Sequence, residues 1–119
     1  MSKPLQEPTF LVLTALLGEP LHGYALLGEV ESVSDGRVRL RVGTLYAALD
    51  RLTEEGLVAV ESEEVVNGRL RRTYAVTGAG AETLAAEVDR MTSLAKKARA
   101  RLRGRLAAGT ATVATAGAR

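Results

Sequence analysis

The arginines in the middle of the chain are the side chains best able to do chemistry, and that chemistry is recognition of a polyanion. Arg69, Arg71 and Arg72 follow a predicted tight turn. Arg51 lies on a predicted helix, about two turns after Thr44 and on the same side. Guanidinium groups pair with phosphates and with guanine edges, so this pattern favours nucleic acid. The alternative is a solvated hairpin whose arginines bind no ligand.

Residues for catalysis or metal binding are scarce. The chain has no cysteine, and His22 is its one histidine. We expect His22, at a predicted helix start, to hydrogen-bond the local backbone; a metal ligand is the less favoured alternative. The densest glutamates lie in runs at 54–55 and 61–64 that look exposed, and neither a phosphate-binding glycine loop nor Gly-x-Ser-x-Gly is present. The sequence therefore predicts no enzyme, no catalytic residue, no metal and no cofactor.

Length and charge narrow the class of protein further. The 119 residues suffice for one small domain, and 46% of them are apolar, as in globular proteins. The apolar run at 8–18 is too short to cross a bilayer and no secretory leader is evident, so we expect a cytoplasmic protein with no membrane partner. The net charge is +2, but residues 91–119 hold seven bases and no acid, which indicates either polyanion binding or a solvated face.

Hydrophobic periodicity predicts the elements that position these residues. A short buried helix covers residues 9–17, and a second runs from about Leu21 to Val33. Residues 37–42 alternate arginine with valine or leucine, which predicts a half-buried strand or extended segment. A third helix covers Gly43–Glu55, and Gly56 ends it.

The second half of the chain predicts a hairpin and a long helix. Asn67-Gly68 separates two β-branched runs, 57–66 and 70–76, which is a strong hairpin signal. Thr77 is a plausible N-cap for the last helix. That helix carries an apolar seam with coiled-coil spacing from Leu84 to Leu102. Residues 107–119 form an Ala/Thr/Gly-rich tail that we expect to be flexible.

This order of elements predicts a mainly α (α+β) fold, a winged helix-turn-helix with a two-stranded wing and a long C-terminal dimerisation helix. The expected domains are a DNA-binding domain at 1–77, a dimerisation helix at 78–106 and the tail at 107–119. The candidate DNA contacts are Thr44, Tyr46, Ala47 and Arg51 on the third helix, with Arg69 and Arg71 on one face of the wing and Arg72 on the other.

An exposed apolar seam on so small a chain also predicts a homodimer. The expected dimer contacts are Phe10 and Leu13 of the first helix with Leu84, Val88, Met91, Ala95, Ala98 and Leu102 of the last.

Two motifs identify a family. The segments Leu21-His-Gly-Tyr24 and Gly43-Thr-Leu-Tyr46, followed in order by Glu54-Glu-Gly-Leu57 and the wing arginines, resemble the PadR family of transcriptional regulators over residues 9–85. Within that family the chain looks like the short class, with a single C-terminal dimerisation helix. The family's recognition-helix tyrosine matches Tyr46 and its basic wing residues match Arg69, Arg71 and Arg72, whereas Ala47 stands where a proline is common.

The resemblance implies a homodimeric, sequence-specific repressor that binds an inverted-repeat operator in double-stranded DNA and leaves it when a small effector binds. Small side chains such as Ala95 and Ala98 would leave room for an apolar effector between the subunits, but no residue of the chain selects a particular ligand. The alternative function is a winged-helix protein–protein interaction module without specific DNA binding, because the fold serves both roles.

Overall fold

Four helices and a three-stranded antiparallel sheet make up residues 4–109, the part of the chain that the computed structural model describes. In chain order the elements are α1 (Glu7–Leu16), β1 (Leu21–His22), α2 (Gly23–Val33), α3 (Val42–Glu54), β2 (Val58–Val66), β3 (Arg69–Val76) and α4 (Gly78–Gly109). The predicted winged helix-turn-helix is confirmed: α2 and α3 are joined by a turn followed by a short extended segment, and the β2–β3 hairpin is the wing.

The chain divides into two units, Met1–Glu87 and Val88–Arg119. The first unit has a leucine- and valine-rich core to which every element from α1 to the start of α4 contributes. Pro8 lies in the first turn of α1, where a missing N–H costs nothing. The largest fully buried side chains are Leu13, Leu16, Leu26, Leu45, Leu49, Leu52, Val12, Val30 and Val58.

The alternating segment after α2 is extended but joins no strand. Val38 and Leu40 are half-buried against the core and the three arginines that alternate with them are exposed, as predicted. Val42, which the alternation placed on the buried side, is 56% exposed at the start of α3. The Val38 N–H donates to the Ser34 hydroxyl at 3.0 Å, so its backbone is satisfied by the turn instead of by a neighbouring strand. Of the two predicted forms, strand or extended segment, the structure has the second.

The sheet that contains the wing has a third strand that the sequence did not indicate. Leu21–His22, predicted as the start of the second helix, forms β1 and pairs with β3 at Tyr74 and Thr73, giving the order β1-β3-β2. A two-residue strand leaves no periodicity in the sequence, since its pairing is decided by the distant β3. The predicted two-stranded wing is present as the β2–β3 hairpin, and β1 adds a third strand to the sheet at its base.

The wing turn is the Asn67-Gly68 pair, as predicted. Asn67 has φ of 53° and Gly68 has φ of 76°. Positive φ at both central residues is the requirement of a type I′ turn, whose twist matches that of the flanking strands. The two motif residues therefore fix the register in which Arg69 pairs with Val66.

The long last helix begins where the sequence predicted. The Gly80 N–H donates to the Thr77 hydroxyl at 3.0 Å, which confirms Thr77 as the N-cap. A Cβ at Gly80 would collide with the Leu57 carbonyl, so glycine lets the first turn of α4 press against the base of the wing. The helix continues through Gly109, three residues into the segment predicted as a tail; residues 110–119 lie outside the described part of the chain.

Candidate nucleic-acid interface

The N-terminal half of α3 presents an uncharged surface. Leu45, Ala48 and Leu49 are buried, whereas the candidate contacts Thr44, Tyr46 and Ala47 are exposed. The positive end of the helix dipole lies here, and acids occur only in the C-terminal half, at Asp50, Glu54 and the following Glu55. A phosphate is therefore favoured at the start of α3 and disfavoured at its end.

Tyr46 is held in place by a glycine of α2. A Cβ at Gly23 would collide with the Tyr46 hydroxyl and would lie only 2.9 Å from the ring carbon Cζ. The absence of a side chain at position 23 thus lets the tyrosine ring lie against α2 while 41% of the residue remains exposed. This contact explains why the glycine of one motif and the tyrosine of the other occur together.

His22 links the helix-turn-helix to the wing. Its backbone is paired with Thr73 of β3, and its Nδ1 accepts a long hydrogen bond of 3.5 Å from the Ala25 N–H, which caps α2. The expectation that His22 hydrogen-bonds the local backbone is confirmed. No group of three or more His, Cys, Asp or Glu with metal-binding geometry occurs in residues 4–109.

A groove of about 490 Å³ lies between the wing, the start of α2 and Tyr46 of α3. Tyr24, at the start of α2, lines it with 85% of its surface exposed, and Leu70, at the wing tip, is 55% exposed. Sequence reasoning left both out of the candidate contacts, although Tyr24 stands within the Leu-His-Gly-Tyr motif that could have indicated it. The lining residues are His22, Gly23, Tyr24, Tyr46, Val66, Asn67, Arg69, Leu70 and Arg71.

Two of the wing arginines belong to this groove. Arg71 forms an ion pair of 2.6 Å with Glu64 on the neighbouring strand, and both side chains are about half exposed. Among the described residues, Arg69 has no carboxylate within ion-pair distance. Since exposed ion pairs contribute little, the Arg71 guanidinium can leave Glu64 for a phosphate at small cost. Tyr46, Arg69 and Arg71 are thus brought together.

Arg72 lies on the opposite face of the wing. It pairs with Glu63 at 2.7 Å and lines a second groove whose carboxylates include Asp50 and Glu54 of α3. Burial raises the pKa of Tyr74 beside it, although Arg72 opposes that shift. The excess of acids on this face makes it unfavourable for phosphate, so Arg72 is separated from the other candidate contacts.

Arg51 is also separated from Tyr46. Its Nη2 donates to the Thr9 hydroxyl of α1 at 2.5 Å, and Thr9 is only 5% exposed. Arg51 shares the flank of Thr44, and both lie roughly 140–160° of helix rotation away from Tyr46. The structure therefore gives Arg51 a contact within the fold, on the side of α3 away from the wing groove.

The residues expected at a dimer interface divide into two groups. Leu13 and Leu84 are at most 3% exposed within the single chain, so they contribute to its own core and the expectation of an intersubunit contact is corrected for both. Phe10 is half-buried against that core. In the second unit, α4 exposes its apolar seam, with Val88 at 43%, Met91 at 44% and Leu102 at 59%, and Ala95 and Ala98 are exposed between them.

No helix within residues 4–109 combines the length and the hydrophobicity needed to cross a bilayer.

Comparison with known proteins agrees with this geometry. A 37.1 kDa protein from a transposon of Streptomyces fradiae is 43% identical over 88 residues, which cover 74% of this chain and 24% of that protein. The Escherichia coli transcriptional regulator YqjI is 28% identical over 98 residues, or 82% of this chain and 45% of its own length. The chain thus spans between about a quarter and a half of the length of these relatives.

Solved structures share the fold. A transcriptional regulator of Thermoplasma acidophilum superposes with a TM-score of 0.63 at 27% identity, covering 82% of this chain and 89% of that one. PadR of Bacillus subtilis, solved in complex with operator DNA, gives a TM-score of 0.62 at 18% identity over 70% of this chain and 48% of its own. Residues 12–86 match the transcriptional regulator PadR-like family. The Gly23–Tyr46 contact joins the two motifs, and the fold is winged. The chain therefore belongs to this family of transcriptional regulators, which are not enzymes.

Proposed function

We propose that this chain is a homodimeric repressor that binds an inverted-repeat operator in double-stranded DNA and releases it when a small apolar effector binds. The observation that carries the proposal is the groove in which Tyr46 of α3 meets Arg69 and Arg71 of the wing. The Bacillus subtilis relative, which shares the fold, was solved on operator DNA. A protein in this family with such a groove fits the same role.

The recognition helix enters the major groove by its N-terminal half. There Thr44 and Tyr46 offer hydroxyls to phosphates or base edges, and the Ala47 methyl suits contact with a thymine methyl group. The C-terminal half cannot approach the backbone closely, because Asp50 and Glu54 would repel phosphates. Arg69 and Arg71 reach the adjacent phosphates or minor groove from the wing.

Dimerisation uses the second unit. The seam of Val88, Met91 and Leu102 is exposed to water in the single chain, and a contiguous apolar row of this kind marks an interaction site. A second copy with the same seam covers it by two-fold symmetry, and two-fold symmetry pairs with an inverted-repeat operator. Phe10 is the α1 residue retained at this interface, because part of its ring remains accessible.

The effector is proposed to bind between the subunits, beside Ala95 and Ala98, where small side chains leave space. An apolar ligand suits this site, since the seam around it is apolar. Ligand binding would change the relative orientation of the two recognition helices in the dimer, so induction is a population shift between states.

The DNA proposal is tested by mapping the duplex sequence that the full chain protects, then titrating salt on that operator and on a scrambled duplex. Arg71→Ala removes one phosphate contact and should lower the slope of log K against log salt by roughly 0.9 on both duplexes. Arg72→Ala is the matched control, because Arg72 is the next residue and forms a similar ion pair on the other face of the wing. Equal slopes for the two variants, or no preference for any operator, would favour the protein–protein module instead.

The dimer proposal is tested with Met91→Asp in analytical ultracentrifugation. A carboxylate in the seam should give monomers and loss of operator binding, because two half-sites must be held at once. Ser93→Asp places the same charge about 200° around the helix and should leave the dimer intact. A dimeric Met91→Asp protein that still binds its operator contradicts the seam as the interface.

A further inference from the structure

The C-terminal half of α4 carries a dense cationic surface that the proposed function does not use. Residues 96–105 contain six basic side chains, all exposed, and the sequence has no acid after Asp89. Among the described residues none of the six lies within ion-pair distance of a carboxylate. These positive charges are therefore not neutralised within the fold. The six are Lys96, Lys97, Arg99, Arg101, Arg103 and Arg105.

Helical geometry arranges these charges in two rows. At 3.6 residues per turn, Lys96, Arg99 and Arg103 lie on one flank of the apolar seam, and Lys97, Arg101 and Arg105 lie on the other. Each row lies about 100° from the centre of the seam. When a second copy covers the seam, both rows stay at the rim and remain accessible to a ligand.

The charge density of this segment matches that of a duplex. Nine residue steps span about 14 Å of helix, so the six cations provide one charge per roughly 2.3 Å. Double-stranded DNA carries one phosphate charge per roughly 1.7 Å of its axis. A membrane-binding helix would need a broad apolar face with aromatic residues, but the strip between these rows has alanines, Leu102 and no aromatic side chain. The density and the narrow strip favour nucleic acid.

We propose that residues 96–105 form a second DNA-binding surface, which holds the phosphate backbone without reading its sequence. The segment has no asparagine, glutamine or hydroxyl side chain, the types that help to distinguish bases, and its lysines and arginines are long and mobile. This inference rests on one premise of the proposed function, that the chain binds duplex DNA. It adds an affinity for DNA that is independent of the operator and strongly dependent on salt.

The test is a salt titration of the full chain on a random duplex, comparing the wild type with a variant in which all six basic residues are glutamine. Glutamine preserves helix propensity, and circular dichroism and sedimentation confirm that the variant is folded and dimeric. If three phosphates are contacted, the slope of log K against log salt falls by about 2.7. Between 50 and 200 mM salt the wild type would then lose about 40-fold more affinity than the variant.

Two controls separate the possible outcomes. Replacing the four arginines at 99, 101, 103 and 105 with lysine keeps the charge and should keep the wild-type slope. A glutamine variant whose slope stays within half a unit of the wild type overturns the proposal. So does a glutamine variant that loses binding to phosphatidylglycerol vesicles while its DNA binding is unchanged. The absence of any operator preference in the wild type would contradict the proposed function alone, because the random-duplex slope still tests this surface.

Discussion

Arg51 is the candidate contact whose role the structure changes most. Its guanidinium donates to the buried Thr9 hydroxyl at 2.5 Å, linking α3 to α1 at the edge of the core. We predict that Arg51→Ala lowers the free energy of unfolding and leaves operator recognition unchanged in the folded protein. A guanine-reading arginine would behave in the opposite way, costing about 1–3 kcal/mol per half-site on the operator only.

The magnitude follows from the two partners. A hydrogen bond to a charged group contributes about 1.5–3 kcal/mol, and a buried hydroxyl left without a partner costs about 1–3 kcal/mol. Thr9 is 5% exposed, so its hydroxyl would find little water, but Arg51 itself is exposed and its guanidinium is solvated in either state. We therefore expect the lower part of the range, about 1–2 kcal/mol, which is several degrees in Tm for a domain of this size.

A double-mutant cycle isolates this contact. Urea unfolding at one fixed protein concentration is measured for the wild type, Arg51→Ala, Thr9→Val and the double variant, since the proposed dimerisation would make stability concentration-dependent. The two single changes should not add, and their coupling energy should be about 1–2 kcal/mol. A coupling energy below about 0.3 kcal/mol, together with a loss of operator affinity confined to Arg51→Ala, would refute the reasoning and return Arg51 to the DNA contacts.

Three further predictions concern the parts that hold the interface. Gly23→Ala forces the Tyr46 ring to move, so it should lower the free energy of unfolding in urea by about 1–3 kcal/mol and weaken operator binding. Gly18→Ala is the control and should do neither, because a Cβ there meets nothing within 4 Å. Gly68→Ala places a side chain at φ of 76° and should destabilise the protein by about 1–2 kcal/mol in the same assay. Burial raises the pKa of Tyr74 in the folded protein, so its hydroxyl loses its proton more readily in the unfolded chain. The free energy of unfolding should therefore fall as the pH rises above 10. Tyr74→Phe should reduce this fall in thermal unfolding measured from pH 8 to 11.5.

Local signals predicted most of the fold. The hairpin at Asn67-Gly68, the cap at Thr77 and the end of α3 before Gly56 each depend on residues close in sequence, and all three are present. The pairing of Leu21–His22 with β3 was missed because it joins segments about fifty residues apart and leaves no periodic pattern. Alternation alone also cannot distinguish a strand from the extended segment at 37–41, since the two differ only in whether a partner strand exists.

The candidate site was predicted in its residue types but only partly in its geometry. Alternation along β3 separated Arg71 from Arg72, yet it could not show that the Arg72 face meets the carboxylates of α3. Likewise, helical spacing placed Arg51 and Thr44 on one side, while the partner on that side, Thr9, lies 42 residues earlier in the chain. Which flank of a helix faces solvent and which faces a neighbour is decided by tertiary packing, and one sequence does not encode it locally.

The links between α2, α3 and the wing limit how an effector can act. Gly23 holds Tyr46, His22 pairs with the wing and caps α2, and Arg51 ties α3 to α1, so these elements cannot shift singly without breaking a contact. The proposed effector in the second unit would therefore have to reorient whole first units within the proposed dimer. To lower operator affinity 100-fold it must prefer the released state by about 2.7 kcal/mol, and by reciprocity operator DNA must weaken effector binding by the same factor. Measuring effector affinity with and without operator tests this coupling directly. Equal affinities would mean that effector binding in the proposed dimer does not regulate operator binding.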